Sequence, residues 1–245
     1  MKIISTIEAR MTSSRLPGKV MMEAAGKPML EHLVERLKLV ESLEGIVMAT
    51  TVNSTDDLIE DLATRLDIKV YRGDEEDVMA RVIGAAESVN ADVIVEITGD
   101  CPIIDHEIIE QTIQVYKHNR VDYVSNNNVR SYPDGMDVQV FGLDILKKSA
   151  SLTDDLLDHE HVTLHIRNNP QIFSRINLVA TSELFLPELG LTLDEESDYK
   201  LLKKVIEHFY SQNNPYFSCL DVVRFLQSNP ELLSINSHVL RKGDT

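Results

Sequence analysis

Short apolar segments alternate with amphipathic ones through the first hundred residues, and this alternation is the strongest constraint on the fold. The apolar segments, which predict strands, are residues 3–7, 46–50, 68–71 and 93–97. Apolar side chains recur between them at three- and four-residue steps, which predicts helices from about Pro28 to 40, after Ser54 or Thr55, and from 75 to 89. Strands that alternate with helices predict βαβ units. We therefore expect an α/β fold with a mostly parallel sheet covered by helices on both faces.

The second half of the chain is less regular, but it contains no linker, repeat or low-complexity tract that would divide it. Its predicted helices span 108–118, 143–150, 160–167, 195–210 and 220–227, and its predicted strands span 123–125, 136–141 and 172–180. A chain of 245 residues with 43% hydrophobic content can bury one large core. We therefore expect a single domain over residues 1–245.

A long connection, residues 9–27, separates the first predicted strand from the first predicted helix, and we call it the opening loop. Connections in compact domains usually have about two to six residues, and much longer ones are most often functional or disordered. Arg10, Arg15 and Lys19 lie close together in this loop, around a bend favoured by Pro17-Gly18. Three cations on a bent loop suit an anionic ligand, most simply a phosphate chain. The loop has neither Walker A spacing nor a G-x-G-x-x-G fingerprint. On these residues alone, an ordinary solvated surface loop is therefore as good an interpretation as a phosphate-binding loop.

The charge balance limits the partners that the protein can have. The chain has 40 Asp and Glu residues against 24 Lys and Arg residues, which argues against nucleic acid or an anionic membrane as the main partner. Cys101 and Cys219 are the only cysteines, which is typical of a reducing compartment without a disulfide framework. No apolar run approaches the roughly 20 residues of a membrane span, and the N-terminus has no signal-peptide pattern. We therefore expect a cytoplasmic protein.

Two aspartates directly follow apolar segments. Asp100 comes after the predicted strand 93–97, and Asp194 comes after the apolar residues 191–193. Ligands of open parallel sheets lie beyond the carboxyl ends of the strands, so both side chains can face one crevice together with the opening loop. Carboxylates in such a place can hold Mg²⁺. An aspartate at a strand end is, however, more often a helix cap or a turn former.

Five segments in this order resemble a known family. They are EARMTSSRLPGKV at 8–20, TGDCPIID at 98–105, YPDGMDVQVF at 132–141, HEHVT at 159–163 and LTLDEESD at 191–198. The chain is similar over nearly its full length to the CMP-sugar synthetases, a group of nucleotidyltransferases, and most closely to the spore-coat polysaccharide biosynthesis protein F group. Glu8 departs from the pattern, because the family is expected to have Gln there.

The resemblance implies a Rossmann-like nucleotidyltransferase fold of the GT-A type. It implies that CMP is transferred from CTP to a sugar acceptor, an acidic keto-sugar or a sugar phosphate, with release of pyrophosphate, for cell-surface polysaccharide biosynthesis. It also implies Mg²⁺ as cofactor and a homodimer, with residues 126–190 as the acceptor-binding and dimerisation subregion.

The same resemblance implies roles for individual residues. Asp100 and Asp194 would hold the metal, and Asp198 is a weaker candidate. Arg15 and Lys19 would bind the β- and γ-phosphates, with Arg10 near the α-phosphate. The implied nucleotide site is Ala9, Arg10, Arg15, Lys19, Arg72 and Arg81, and the implied catalytic set is Arg10, Arg15, Lys19 and Asp100. The implied acceptor-binding residues are Asp134, Asp137, His159, Glu160 and His161.

Other interpretations stay open for some of these residues. Arg81 lies four residues after Asp77, so a helical ion pair would explain it equally well. His159 and His161 are two residues apart and do not share a helix face, and no zinc motif accompanies them, so we do not expect zinc. A glycosyltransferase that uses a nucleotide-sugar donor is an alternative function, although Gly99-Asp100-Cys101 is not the D-x-D triplet usual in such enzymes. A nucleotide-binding protein without enzymatic activity is a third possibility.

Overall fold

The structure is a computed structural model, and it describes residues 1–240. The strands are β1 Ile3–Glu8, β2 Glu23–Ala24, β3 Lys27–Pro28, β4 Ile46–Thr51, β5 Lys69–Gly73, β6 Val93–Thr98, β7 Tyr123–Ser125, β8 Gln139–Gly142 and β9 Arg175–Asn177. The helices are α1 Met29–Leu37, α2 Asp57–Arg65, α3 Val78–Ser88, α4 His106–His118, α5 Leu143–Ala150, α6 Leu156–Glu160, α7 Leu164–Asn168, α8 Glu196–Ser211, α9 Cys219–Ser228 and α10 Pro230–Leu233.

Seven strands form one sheet in the order β5-β4-β1-β6-β8-β7-β9. The strands β5, β4, β1 and β6 are parallel to one another, β8 runs antiparallel to β6 and β7, and β9 is parallel to β7. This confirms the predicted mostly parallel sheet. The short antiparallel pair β2–β3 lies within the opening loop. That residues 1–245 form a single domain stays a prediction.

Helices cover both faces of the sheet, as predicted. One buried apolar cluster contains side chains of α1, α2, α4, α8 and α9, and the other contains side chains of α3, α5 and α7. Strand β1 contributes to both, because successive side chains of a strand point to opposite faces. Ile3 and Ile7 belong to the first cluster and Ile4 to the second. Within residues 1–240, no helix is long and apolar enough to cross a bilayer.

Three predictions in the second half were wrong in detail. The predicted helix 160–167 is two short helices, α6 and α7, because Asp155 caps the N-terminus of α6 and Val162 has a left-handed φ of 47° between them. The predicted strand 172–180 is only Arg175–Asn177, since residues 172 and 173 still bond back to Asn169 in a turn. The predicted strand 136–141 begins only at Gln139.

Candidate active site

A cavity of about 710 Å³ lies beyond the carboxyl ends of β1 and β6. Its walls come from the opening loop, the ends of these two strands, the α6–α7 region and the segments around 134–139 and 192–194. This is the position at which open α/β sheets bind ligands. The cavity therefore joins segments that are distant in sequence and that carry most of the predicted site residues.

The opening loop is held to the sheet by one buried carboxylate. Asp56 accepts hydrogen bonds from the Met11 N–H at 2.8 Å and from the side chains of Thr50 and Thr51. Burial alone would raise the pKa of Asp56, but these hydrogen bonds outweigh it and hold the pKa below its ordinary value. The loop then turns back at Gly18, which has a left-handed φ of 73° and donates its N–H to the Met11 carbonyl. The bend places Lys19 in a short 3₁₀ helix that faces the cavity.

Lys19 lies between the two aspartates predicted to hold a metal. Its Nζ is 2.9 Å from Asp100 Oδ2 and 3.2 Å from Asp194 Oδ1, and Arg15 Nη2 is 2.6 Å from the same Asp194 oxygen. Burial would lower the pKa of Lys19, but the attraction of the two carboxylates raises it. Burial would likewise raise the pKa of Asp100, but Lys19 lowers it. The four side chains thus form a mostly buried cluster of charges.

Backbone contacts hold the two aspartates side by side. The Leu193 N–H donates to the Asp100 carbonyl at 2.8 Å, which joins the segment before Asp194 to the end of β6. Asp198 accepts the backbone N–H groups of Asp194 and Glu195, and it also accepts a hydrogen bond from Asn236 Nδ2 at 2.8 Å. Asp198, the weaker metal candidate, is thus directed at the backbone that carries Asp194 and does not line the cavity. The structure indicates that it positions Asp194.

The chemistry of this pair fits a magnesium ion that arrives with a nucleotide. Mg²⁺ is usually bound by one or two carboxylates together with phosphate oxygens and water, rather than by a complete protein cage. Asp100 and Asp194 supply two such carboxylates on either side of one ammonium group. The described part of the chain contains no group of three or more metal-ligating side chains. A bound Mg²⁺ would therefore take its remaining oxygens from the substrate or from water.

The structure separates the two arginines predicted to contact base and ribose. Arg81 lines the cavity, and its guanidinium donates to the backbone carbonyls of Ala49, Asp74 and Glu75. Arg72 does not line the cavity. It donates instead to the Thr51 and Asn53 carbonyls and to the carboxylates of Asp57 and Glu60, which lie at the start of α2. Arg72 therefore stabilises the β4–α2 connection and the start of α2, and it does not line the cavity.

The alternative of an Asp77–Arg81 helical ion pair is not what the structure shows. The Asp77 carboxylate accepts the Ala80 N–H at 2.8 Å, so it caps α3, and it lies 2.9 Å from His159 Nδ1. The hydrogen bond that the His159 ring donates to Asp77 raises the pKa of His159. Lys27 pairs with Glu35 outside the cavity.

Most, but not all, of the predicted acceptor-binding residues line the cavity. Asp134, Asp137, Glu160 and His161 line the cavity, whereas His159 packs against Asp77 and the Thr153 carbonyl. His159 lies within α6 and His161 is at its C-cap, and because residues two apart do not share a helix face, the two side chains point in different directions. Burial and the nearby Asp134 raise the pKa of Asp137 to about 7.

Among the cations of the opening loop, Arg10 contacts the segment that precedes α3. It lines the cavity, and its Nη1 is 3.1 Å from Glu75 Oε1. Glu75 also accepts hydrogen bonds from Thr12 and Asn53, so it ties the loop to the β4–α2 connection. Ala9, at the start of the loop, also lines the cavity.

Sequence reasoning missed several polar residues that line the cavity. Glu96, Gln139 and Arg167 were not predicted, and Glu8 was noted only as a departure from the family pattern. A signal existed for Glu96, since it is the one charged residue within the apolar strand Val93–Thr98. Burial, opposed by Arg167, raises the pKa of Glu96 to about 8. Burial and the nearby Glu96 raise the pKa of Glu8 well above its ordinary value.

An α/β sheet that brings a basic loop and two carboxylates together beyond its carboxyl edge has an arrangement that suits a nucleotidyltransferase. Comparison with known proteins agrees. Residues 4–218 match the family model described as cytidylyltransferase. The chain is 36% identical to an uncharacterized protein of Methanocaldococcus jannaschii over 243 residues, which are 99% of this chain and 98% of that protein.

Two further comparisons are with a named protein and with a solved structure. The spore coat polysaccharide biosynthesis protein SpsF of Bacillus subtilis is 32% identical over 237 residues, which cover 94% of this chain and 95% of that protein. The structure of a cytidylyltransferase from Leptospira borgpetersenii superposes with a TM-score of 0.90 at 31% identity and covers 95% of this chain and 97% of that chain. The chain belongs to the cytidylyltransferase family. This confirms the resemblance inferred from the five segments, the fold class, and the predicted enzyme class that transfers CMP from CTP.

Proposed function

We propose that the protein is a Mg²⁺-dependent cytidylyltransferase that transfers CMP from CTP to a small sugar acceptor, with release of pyrophosphate. The observation that carries the proposal is the cluster of Arg15, Lys19, Asp100 and Asp194, whose charged atoms lie 2.6–3.2 Å apart at the carboxyl edge of the sheet. It supplies cations for a triphosphate and carboxylates for a divalent ion in one place.

Each part of this cluster has a task in the reaction. An oxygen of the acceptor attacks the α-phosphorus of CTP, the bond from that phosphorus to the oxygen bridging to the β-phosphate breaks, and pyrophosphate leaves. Arg15 and Lys19 bind the β- and γ-phosphates and neutralise the charge that develops on them, while Arg10 lies toward the α-phosphate. Asp100 and Asp194 hold Mg²⁺, which when bound supplies further positive charge to the phosphate oxygens.

The residues on one side of the cluster are proposed to contact the nucleotide, and the residues on the other side are proposed to contact the acceptor. Ala9 and Arg81 border the side proposed for base and ribose, and Arg72 supports that side through the start of α2. Asp137, Glu160 and His161 border the acceptor side, together with Asp134. The name of the Bacillus subtilis relative supports a sugar acceptor and a role in cell-surface polysaccharide biosynthesis. An acidic keto-sugar and a sugar phosphate are the acceptors we expect from the family resemblance.

Pyrophosphate release from CTP, with Mg²⁺ and a panel of keto-sugar acids and sugar phosphates, tests the proposal. We expect turnover with CTP, and we expect Lys19→Met, Asp100→Asn and Asp194→Asn each to lower kcat/KM by roughly a hundredfold or more. The matched control is Lys27→Met, which removes a cation of the same loop outside the cavity and should change kcat/KM less than about twofold. Folded protein that uses no nucleotide, or that keeps its rate in all three variants, would contradict the proposal.

We also propose that the protein acts as a homodimer in the cytoplasm. The subregion 126–190 presents several apolar side chains that are at least half exposed, including Val129, Leu156, Leu157 and Val179. Such side chains favour a protein contact when they are contiguous. Both cysteines are buried and unpaired, which suits a reducing compartment that supplies CTP.

A further inference from the structure

A single buried amide joins the two ends of the segment that carries Asp194. Asn236 Nδ2 donates to the Gly190 carbonyl at 3.0 Å and to Asp198 Oδ1 at 2.8 Å. Gly190 and Asp198 each lie four residues from Asp194 in the sequence, on opposite sides of it. Asn236 is only 5% exposed, and Asp198 is fully buried. The two N–H groups of one side chain therefore fix the ends of the segment in the middle of which Asp194 lies.

The contact continues from Asp198 to the backbone of Asp194. Asp198 Oδ2 accepts the N–H groups of Asp194 at 3.2 Å and of Glu195 at 2.9 Å, and the Glu195 bond is part of the capping box that begins α8. The other oxygen, Oδ1, accepts the bond from Asn236. Because each oxygen of the carboxylate has its own donors, the Asn236 amide keeps Oδ2 turned toward the Asp194 N–H.

A second cavity, of about 450 Å³, lies beside Gly190 and Asn236. Its lining includes side chains of α9 and of residues 186–189. Close packing normally holds a buried segment in place, but beside a cavity fewer packing contacts are available. The hydrogen bonds of Asn236 therefore matter more for the position of this segment than they would in a densely packed core.

The stretch of chain that contains Asn236 also reaches the phosphate-binding side of the charged cluster. Arg15 Nη1 is 3.3 Å from the Leu240 carbonyl, while Arg15 Nη2 is 2.6 Å from Asp194 Oδ1. The Leu240 contact is exposed, so water competes with it and it contributes little by itself. It indicates that residues 236–240 run close to the Arg15–Asp194 ion pair.

We propose that Asn236 is a positioning residue for Asp194, that it acts through Asp198, and that it thereby controls how much Mg²⁺ strengthens the binding of CTP. The inference rests on the proposed function, because it concerns the metal carboxylate of that same site. Hydrogen-bonded neighbours orient metal-binding carboxylates, and loss of such a neighbour typically costs about ten- to a hundredfold in metal affinity or activity. Without the Asn236 amide, Asp198 can turn, and the Asp194 N–H loses a fixed acceptor.

The affinity for CTP, measured by calorimetry once with Mg²⁺ and once with EDTA, tests the proposal. The ratio of the two affinities is the enhancement by Mg²⁺, and it can be measured without turnover. Asn236→Leu keeps the shape of the side chain and removes both N–H donors. We expect it to lower the enhancement by roughly tenfold or more. The affinity in EDTA should stay within about threefold, because Arg15 and Lys19 remain to bind the phosphates.

Asn229→Leu is the matched control for Asn236→Leu. Asn229 Nδ2 donates to the Phe225 carbonyl at 2.8 Å near the end of α9, and Asn229 lines neither cavity. The same substitution there should change the enhancement by less than about twofold. Circular dichroism shows whether the variants are folded. If Asn236→Leu does not fold, Asn236→Ala takes its place, because it removes the same donors without placing apolar atoms beside Asp198.

A double-mutant cycle tests whether Asn236 acts through Asp198. Asp198→Asn leaves a single acceptor oxygen, which cannot serve both the backbone N–H groups and Asn236. In this background, Asn236→Leu should lower the enhancement by less than about twofold, because the contact is already broken. A role of Asn236 that does not pass through Asp198 would instead give the same factor in both backgrounds.

The possible results separate this inference from the proposed function. The positioning role is overturned if folded Asn236 variants keep the full enhancement, if Asn229→Leu loses as much of it, or if the two substitutions of the cycle act independently. The transferase assignment survives each of these results. If Mg²⁺ does not strengthen CTP binding by the protein without substitutions, the metal site of the proposed function is wrong, and the positioning role is overturned with it.

Discussion

At the scale of single residues, buried charge distinguishes the cavity from the rest of the protein. Lys19 and Asp100 satisfy each other, and each shifts the pKa of the other toward the charged form. Glu96 is in the opposite situation, because burial raises its pKa from an ordinary value near 4.5 to about 8. The cavity therefore holds one carboxyl group that is stabilised as an anion and one that is stabilised as a neutral acid.

The raised pKa of Glu96 predicts how stability depends on pH. The folded protein binds a proton at Glu96 that the unfolded chain releases above about pH 4.5, so the contribution of this group to stability is complete below pH 4.5 and is lost as pH rises to about 8. Glu96→Gln should remove that loss, at most about 1.4 kcal/mol per pH unit. Urea unfolding of both proteins between pH 5 and pH 8 would measure it. A difference in stability that is constant over this range would contradict the prediction.

The position of Lys19 leads to a second prediction, which concerns binding of a divalent metal ion in the absence of nucleotide. Its ammonium neutralises Asp100 and Asp194, so it competes with a divalent ion for the same oxygens. In Lys19→Met, Mn²⁺ used as a spectroscopic substitute should bind the CTP-free protein roughly tenfold more tightly or better. Electron paramagnetic resonance of free Mn²⁺ gives the affinity, and Lys27→Met is the control. Equal Mn²⁺ affinity of Lys19→Met and the unchanged protein would show that Lys19 does not block the site.

At the scale of elements, the opening loop owes its shape to contacts outside itself. Asp56 belongs to the β4–α2 connection, yet it accepts the Met11 N–H and holds the loop against the end of the sheet. On the other side, Leu193 and Asp198 fix the segment that carries Asp194. The loop and this segment meet at Lys19 because each is separately attached to the rest of the fold.

Asp56 offers a test of this attachment. Asp56→Ala removes a buried acceptor of several hydrogen bonds and should lower the free energy of unfolding by about 2–3 kcal/mol. It should also raise KM for CTP, because the basic loop loses its anchor. Since the pKa of Asp56 is lowered in the folded state, the stability lost in the variant should be largest above the ordinary aspartate pKa and should shrink in acid. Chemical denaturation at pH 3 and pH 7, with CTP kinetics at pH 7, would measure these effects.

A normal KM for CTP in folded Asp56→Ala protein would contradict the proposed role of this anchor. Thr55→Ala, at a neighbouring position of the same connection, is a control that leaves the Asp56 hydrogen bonds in place.

At the scale of the whole molecule, the proposed homodimer gives a prediction about mass. Leu156 in α6 is 82% exposed and Leu152 is 49% exposed, so a charge at Leu156 should be tolerated in a monomer but not in a contact between two copies. The protein should elute with twice the 27.7 kDa mass of the chain, and Leu156→Asp should shift it toward the monomer. Light scattering after size-exclusion chromatography would measure both masses.

The control is Leu58→Asp, which places the same charge on an exposed leucine of α2, outside the subregion 126–190. The assignment of the interface would be refuted if the protein without substitutions is a monomer, or if it is a dimer whose mass does not change in Leu156→Asp.

Much of the architecture could be predicted from local patterns. The alternation of strands and helices up to Asp100 was confirmed, because the period of apolar side chains depends only on chain neighbours. The basic residues of the opening loop and Asp100 were also visible, since each stands next to a predicted strand, and their meeting followed from the rule that the carboxyl ends of parallel strands share an edge. Asp194 follows no strand in the structure, and its segment reaches the same edge through the hydrogen bond from the Leu193 N–H to the Asp100 carbonyl.

What the sequence by itself determined was therefore the class of fold, the basic loop and the family. Only the tertiary structure decided that Arg81 lines the cavity while Arg72 does not, that His161 faces it while His159 does not, and that Glu8 and Glu96 form a pair. These distinctions depend on strand register and on packing between distant segments. Such contacts join residues far apart in sequence, 175 positions for Lys19 and Asp194, and local periodicity carries no information about them.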